Sequence, residues 1–289
     1  MRLAISRSVL LHLRLPFSLL LLPVYLFALS RSANFNNLHA LVVFIVLHLL
    51  IYPASNGYNS YFDQDEGSIA LIKNPPKADI TLYYTSISLE WFGVLLAFFV
   101  GWQFSLGVIV YNFLSKAYSH PSVRLKKFPI ISFLTVFIFQ GGFIYLLCLY
   151  AFKNFDFGFT LADYLASLIC SCLIGATYPL TQVYQHEEDS KRGDKTLSLL
   201  LGIKGSFVFS GLLFTASIFL MFLFWNQQQQ LNNFWVFLVM ILPATAFFLW
   251  WFVKVLKDTK QANFTNMMRM TIISGSAMLI YFTWLWLVA

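Results

Sequence analysis

The chain has 289 residues, of which 59% are hydrophobic and only 11% are charged. Soluble domains carry about 25% charged residues, so this chain cannot cover a water-facing surface, and a soluble globular fold is excluded. The net charge is +7, but basic residues in a membrane protein collect in its cytoplasmic loops, so we expect no nucleic-acid partner. The three cysteines all lie in apolar segments and are too few for a disulfide framework.

Nine apolar segments are candidates for membrane-spanning helices, which need about 20 mostly apolar residues. In chain order they are Leu15–Leu29, Leu38–Ser60, Ile80–Val100, Trp102–Ala117, Ile130–Phe152, Leu161–Tyr184, Ser206–Trp225, Phe234–Val255 and Met267–Val288. The fourth is short, and Gly101 leaves almost no loop before it, which predicts a tight hairpin of the third and fourth segments. We therefore predict an all-α, multi-pass protein of the cell membrane, with nine transmembrane helices in a single domain over residues 1–289.

The basic residues fall almost entirely in alternate loops between these segments. Seventeen of the 19 lysines and arginines, beginning with Arg2 and Arg7, lie in the N-terminus and in loops on one side, and only Arg31 and Lys153 lie on the other. Because Lys and Arg collect on the cytoplasmic side, the N-terminus is predicted to be cytoplasmic. Eight of the 12 acidic residues form two clusters on that same side.

The first acidic cluster follows the second predicted span. Six residues recur there every three or four positions and form one stripe if the helix continues: His48, Tyr52, Asn56, Asn59, Asp63 and Glu66. At about 100° per residue, Asp65 is predicted to point away from this stripe. If His48 is considered by itself, interhelical hydrogen bonding is enough to explain its presence. If the acidic residues are considered by themselves, a solvated helix end is enough. A carboxylate beside two carboxamides favours a functional stripe that faces the bundle interior.

The second acidic cluster follows the sixth predicted span and repeats this pattern. Its stripe consists of Tyr178, Gln182, Gln185 and Asp189, with His186 at the edge. Glu187 and Glu188 fall off that face. A solvated charge run explains Glu187, the role of Glu188 stays open, and Gly193 is predicted to end the helix.

Two inward stripes with carboxylates at the same membrane depth predict a divalent cation. Magnesium prefers oxygen ligands and is commonly held by one or two carboxylates together with substrate phosphates. A phosphate ligand also needs cations, and Arg124, Lys126 and Lys127 lie on the same side. Ordinary cytoplasmic loop charge or contact with anionic lipids would also account for that basic run.

Four short patterns occur at this predicted cytoplasmic face. They are Asn59-Ser-Tyr-Phe-Asp63, Asp189 followed by Gly193-Asp-Lys-Thr-Leu197, Tyr118-Ser-x-Pro121-x-x-Arg124-Leu-Lys126, and Arg14-x-Pro16. Together they resemble the motifs of the UbiA superfamily of intramembrane prenyltransferases, whose acidic motifs read Asn-Asp-x-x-Asp-x-x-x-Asp and Asp-x-x-x-Asp. The resemblance covers nearly the whole chain and implies a UbiA-like helical bundle.

The chain departs from the family pattern at three acidic positions. Ser60, Gly67 and Gln185 stand where the family motifs have aspartate. The resemblance implies Mg²⁺ as the cofactor, with oxygen ligands from Asn56, Asn59, Asp63, Glu66, Gln185 and Asp189. Carboxamides neutralise none of the charge of the metal ion, so its affinity should fall unless the substrate diphosphate supplies more of the ligands.

The resemblance also implies an activity, which is transfer of a prenyl group from a prenyl diphosphate to an aromatic, quinone-precursor or lipid acceptor. The residues implied as catalytic are Asp63, Asp189, Lys126 and Tyr118, and those implied to bind the diphosphate are Arg14, Lys73, Arg124 and Lys126. Its partners would be the prenyl diphosphate, a hydrophobic acceptor and the lipid bilayer, with no obligate protein partner. The active site would lie on the cytoplasmic side.

Two other functions remain open from the sequence. A terpene cyclase on the same fold would use the same diphosphate site without an acceptor. A non-catalytic transporter or binding protein for an anionic lipid would use the basic loops for capture. A transporter should carry polar residues through the membrane, whereas the outer halves of these spans are mostly Leu, Phe, Ile and Val, which favours an enzyme open to one side.

Overall fold

The computed structural model describes residues 6–32 and 35–288, and Arg2 of the charge count lies outside them. Within that range the helices are α1 (Arg7–Ser30), α2 (Asn37–Asp63), α3 (Ile80–Ala97), α4 (Trp102–Ser119), α5 (Pro129–Phe152), α6 (Leu161–Thr181), α7 (His186–Arg192), α8 (Leu197–Gln227), α9 (Leu231–Lys257) and α10 (Phe264–Val288). The one β-bridge of this part of the chain joins Ile69 to Ile72 in the loop after α2.

In the described part of the chain, eight of these helices are long and apolar enough to cross a membrane. The short α7 is not one of them, and neither is α4, which corresponds to the fourth predicted span. Gln103, Asn112 and Lys116 lower the hydropathy of α4. A ninth transmembrane helix therefore stays a prediction, as does the cytoplasmic position of the N-terminus. The predicted hairpin of α3 and α4 is present, because only residues 98–101 separate the two helices.

Neighbouring helices in the chain pack against each other, and α10 packs against α1, which closes the bundle into a ring. At the end of the bundle where α2 begins, the core is aromatic. Phe27 contacts the rings of Phe224 and Phe282 with centroids 5.4 and 4.7 Å apart. The indole of Trp225 donates a hydrogen bond to the Tyr281 hydroxyl at 2.8 Å. Buried aromatic rings that also satisfy their polar atoms make this end tightly packed.

The opposite end carries the loop between α2 and α3, the loop between α4 and α5, and the segment from α6 to α8. We call it the charged end, because both acidic clusters lie there. The chain turns sharply at several points around it, and Arg14, Gln64 and Gly193 are among the residues with left-handed backbone conformations. Gly193 ends α7, as predicted, since glycine adopts this conformation without steric cost.

Because the chain turns at this end, neither predicted stripe is a continuous helical face over its full length. The left-handed Gln64 ends α2 at Asp63, so Glu66 does not continue the stripe of the first cluster. In the second cluster, a turn separates α6 from α7, so Tyr178 and Asp189 do not lie on one continuous helix. His48 Nδ1 donates a hydrogen bond to the carbonyl of Ser18 on α1 at 2.9 Å, which is the interhelical contact that accounts for a histidine at this position.

Candidate active site

A polar pocket of about 250 Å³ lies at the charged end. Eight of the residues that the sequence singled out line it together: Arg14, Asn56, Asn59, Asp63, Tyr118, Lys126, Gln185 and Asp189. They come from α1, α2, α4, α7 and the loops beside them, so the fold brings distant segments to one place. Although the second stripe is broken, Tyr178 and Gln182 also line this pocket.

Asp63, the last residue of α2, is the centre of a buried ion network. Lys126 of the loop between α4 and α5 donates a hydrogen bond to its carboxylate. Lys126 Nζ also lies 3.6 Å from Asp194, and Arg124 Nη1 lies 3.9 Å from Asp63. Two cations and two carboxylates therefore neutralise one another in this network.

Arg124 binds Asp194 with both arms of its guanidinium. The Nε and Nη2 atoms donate to the two carboxylate oxygens at 2.8 and 2.9 Å, a geometry that only arginine offers. Burial alone would raise the pKa of Asp194, but the hydrogen bonds from Arg124 and the charge of Lys126 outweigh it and hold that pKa below its usual range. Arg124 itself does not line the pocket. It orients Asp194, which does.

Asp189 on α7 has a different environment. No basic side chain of the described residues forms an ion pair with it, and its one hydrogen-bond donor from a side chain is the Thr196 hydroxyl at 3.4 Å. Burial raises the pKa of Asp189 to about 7. Asp189 is therefore the carboxylate of this pocket for which binding of a cation would be most favourable.

The carboxamides supply further oxygen atoms around the pocket. The Asn59 Oδ1 accepts a hydrogen bond from Ser119 at 2.6 Å, and Gln185 Nε2 donates to the carbonyl of Ser68 at 3.3 Å. Because Gln185 donates with its nitrogen, its side-chain oxygen is left for another partner. Within residues 6–32 and 35–288, no group of three or more His, Cys, Asp or Glu side chains is arranged to hold a metal ion.

Arg14 is a buried cation, only 8% exposed. It donates from Nη2 to the carbonyl of Asn56 at 3.2 Å and to the Ser60 hydroxyl at 3.4 Å. None of the described carboxylates lies within ion-pair distance of it, and its Nε has no partner among the described atoms. A buried guanidinium without a described carboxylate in ion-pair distance therefore lines the pocket, which makes Arg14 a candidate to bind an anion.

The polar pocket continues into an apolar cavity of about 520 Å³ between the helices. Five residues line both spaces and form the junction between them: Phe17, Val136, Gln140, Tyr178 and Thr181. At this junction the hydroxyls of Tyr118 and Tyr178 are hydrogen-bonded at 2.9 Å. The combined space therefore has a charged head and an apolar tail.

In addition to Arg124, two residues that the sequence predicted for the site lie outside the pocket lining. Glu66 is exposed beyond the end of α2, and only its backbone N–H contacts the second acidic cluster, through Glu188. Lys73 is exposed in the loop between α2 and α3. The assignment of Glu66 depends on a helix that continues, whereas α2 ends at Asp63 and the chain turns away.

The sequence interpretation missed other residues of the lining. Asp65, predicted to point away, faces the pocket because the chain leaves the helix at Gln64. Arg192 and Asp194 also line it. For Arg192, the signal in the sequence was its position four residues after Glu188, a spacing that predicts an ion pair on one helix. A polar residue inside an apolar span was the signal for Gln140.

The comparisons with known proteins agree with this geometry. A UbiA homologue from Archaeoglobus fulgidus bound to DMAPP and Mg2+ superposes with a TM-score of 0.69 at 18% identity, covering 98% of this chain and 100% of that one. The same homologue bound to GPP and Mg2+ gives a TM-score of 0.66 at 17% identity, with coverages of 96% and 99%. A digeranylgeranylglyceryl phosphate synthase gives 0.60 at 18% identity, with 97% of each chain covered.

These likenesses establish a shared fold over almost the full length of the chain. No curated protein matches the chain significantly. The sequence pattern of the UbiA prenyltransferase family, in contrast, matches residues 20–273, which run from within α1 to the first part of α10 and include both acidic clusters. This integral membrane protein belongs to the UbiA prenyltransferase family.

Proposed function

We propose that the chain transfers a prenyl group from a prenyl diphosphate to a hydrophobic acceptor in the membrane, in a Mg²⁺-dependent reaction. The proposal rests on one observation. A polar pocket, lined by Arg14 without a counterion among the described residues, adjoins an apolar cavity of about 520 Å³. An anionic head group with an apolar tail is the ligand that such a space fits. The relatives that bind DMAPP or GPP with Mg2+ support this substrate class.

The diphosphate would be bound by side chains of this chain. Arg14 has no counterion of its own among the described residues, and Lys126 has three N–H donors next to the same pocket. Both would bind the phosphate oxygens and stabilise the negative charge that develops on the leaving diphosphate. Arg124 would act as a positioning residue, since it holds Asp194 beside Lys126.

The donor set fits one magnesium ion. Asp189 has no cationic partner among the described residues, Asp63 has one oxygen engaged with Lys126, and the carboxamides of Asn59 and Gln185 line the same pocket. One or two carboxylates completed by substrate phosphates are the usual ligands of Mg²⁺ in proteins. When bound, the ion supplies Lewis-acid stabilisation of the phosphate oxygens.

The reaction would occur at the junction of the two spaces. The allylic C–O bond breaks with its electron pair leaving on the diphosphate, and the acceptor forms the new bond to carbon and gives its proton to a base at the junction, such as the released diphosphate. The rings of Tyr118 and Tyr178 lie at this junction, and aromatic faces attract a cation at about 0.5–2 kcal/mol. The apolar side chains that line the larger cavity would exclude water from the cation.

We further propose that the charged end faces the cytoplasm of a cell membrane and that α4 forms a ninth span. The loops of the charged end contain most of the basic residues, as the positive-inside rule requires. An even number of spans would place some of those loops on the opposite side, and α4, with 18 residues, is the helix available for the additional crossing.

The experiment is a mass-spectrometric assay of the purified protein with prenyl diphosphates of several lengths, with and without quinone precursors and lipid acceptors. We expect diphosphate release that needs both Mg²⁺ and an acceptor. Acceptor-independent formation of a hydrocarbon would identify a terpene cyclase instead. No turnover, combined with movement of an anionic lipid between vesicles, would identify a transporter, which the aromatic packing around Trp225 and Tyr281 at the other end of the bundle disfavours.

A further inference from the structure

Arg192, the last residue of α7, holds two carboxylates that belong to different acidic clusters. Its Nη1 donates to Asp65 at 2.6 Å, and its Nη2 donates to Glu188. Asp65 follows α2 and Glu188 lies on α7, so the guanidinium joins the two segments in which the acidic motifs of the family occur. Both Arg192 and Asp65 line the polar pocket.

Glu188 in turn occupies the space beside Gly67. Its Oε1 accepts hydrogen bonds from the backbone N–H groups of Glu66 at 2.9 Å and Gly67 at 3.4 Å. A Cβ atom on Gly67 would lie 2.6 Å from Glu188 Oε2, which is too close for two unbonded atoms. The side chain of Glu188 would have to move before position 67 could carry the aspartate of the family pattern.

Most carboxylates that line the pocket are therefore paired with fixed cations. Lys126 pairs with Asp63, and Arg192 pairs with Asp65. Among the described carboxylates that line the pocket, this leaves Asp189 as the one without a basic partner. Such a set suits one magnesium ion completed by substrate phosphates, and a second ion would compete with Arg192 for Asp65.

We propose that Arg192, held by Asp65 and Glu188, donates hydrogen bonds to a bound diphosphate in place of a second magnesium ion. The chain would then bind a prenyl diphosphate with one Mg²⁺ per active site. This inference rests on the proposed function. A guanidinium has five N–H donors, and the two carboxylates use one on each terminal nitrogen, so donors remain for phosphate oxygens. Its planar fork also matches phosphate geometry.

The test is calorimetric titration of Mg²⁺ and of a non-hydrolysable analogue of GPP, with protein concentration fixed independently. The wild type should bind one Mg²⁺ per chain in the presence of the analogue. Arg192→Gln should weaken analogue binding roughly 10–100-fold at saturating Mg²⁺, which is the loss of one charge-assisted hydrogen-bonding group. Arg192→Lys should retain part of the affinity, since it keeps the charge.

Lys191→Gln is the matched control. It removes the same charge from the neighbouring position, where the side chain is 72% exposed and pairs with Glu187, and it should leave analogue affinity unchanged. Thermal melting in detergent checks that each variant is folded. If Arg192→Gln does not fold, the number of Mg²⁺ ions that the wild type binds per chain tests the proposal by itself.

Two ions per chain in the wild type, or equal affinities for Arg192→Gln and Lys191→Gln, would overturn the role of Arg192 while leaving prenyl transfer intact. A wild type that does not bind the analogue at any Mg²⁺ concentration would overturn the proposed function, and this inference with it.

Discussion

The hydroxyl groups of Tyr118 and Tyr178 are hydrogen-bonded at 2.9 Å. Tyr118 belongs to α4 and Tyr178 to α6, so this contact joins the two sides of the bundle at the junction between the polar pocket and the apolar cavity. The rings are therefore held next to the position where the head of an amphipathic substrate meets its tail.

Tyr178→Phe should keep most of the turnover, because it retains the ring and loses only a hydrogen bond worth about 1 kcal/mol. Tyr178→Leu should lower kcat by roughly tenfold or more, since it removes a cation-stabilising face worth up to about 2 kcal/mol. Steady-state kinetics with a saturating acceptor distinguishes the two variants. If Tyr178→Phe lowered kcat as much as Tyr178→Leu, the hydroxyl and not the ring would be the functional group.

Asp189→Asn should lower Mg²⁺-dependent turnover by roughly 100-fold or more, as loss of a main electrostatic group in an active site does. The variant should still insert and fold, because Asp189 forms no ion pair with any described residue. The assay compares purified wild type and variant across a range of Mg²⁺ concentrations. Glu187→Gln, at an exposed position of the same helix, is the control, and wild-type turnover of Asp189→Asn would exclude a metal role for this residue.

Lys126→Ala should weaken diphosphate binding by about 1–3 kcal/mol, the range for a hydrogen bond to a charged group. The measurement is titration calorimetry with the non-hydrolysable analogue. Lys127→Ala is the neighbouring control, because Lys127 lies over the ring of Phe128 at 5.1 Å and does not line the pocket. A larger effect of Lys127→Ala would instead support contact of this basic run with anionic lipids.

Arg124→Ala should reduce the stability of the fold by about 3–5 kcal/mol, because it leaves the buried carboxylate of Asp194 without its bidentate partner. We therefore expect Arg124→Ala to melt at a lower temperature in detergent than the wild type. Arg124→Lys should recover part of the loss, since one of the two hydrogen bonds can form. Lys191→Ala breaks an exposed ion pair of similar length and should leave the melting temperature unchanged. An unchanged melting temperature for Arg124→Ala would mean that Lys126 compensates for the missing charge.

Hydropathy and charge predicted most of the fold because both are local properties of the sequence. Twenty apolar residues in a row have few alternatives to a buried helix, and eight such helices occur in the described structure. The left-handed end of α7 could be read from Gly193, which tolerates that backbone. Asp63, Asp189, Lys126 and Arg14 could be singled out because charged groups next to apolar spans need a partner or a ligand.

Only the tertiary structure decided which of these charges neutralise each other. Whether Asp65 or Glu66 faces the pocket depends on one backbone turn at Gln64, and whether Arg192 pairs across to Asp65 depends on how two loops more than 100 residues apart fold over the bundle. Such pairings are set by packing between distant segments. A carboxylate therefore looks the same in the sequence whether it has no basic partner among the described residues, like Asp189, or is already bound to a lysine, like Asp63.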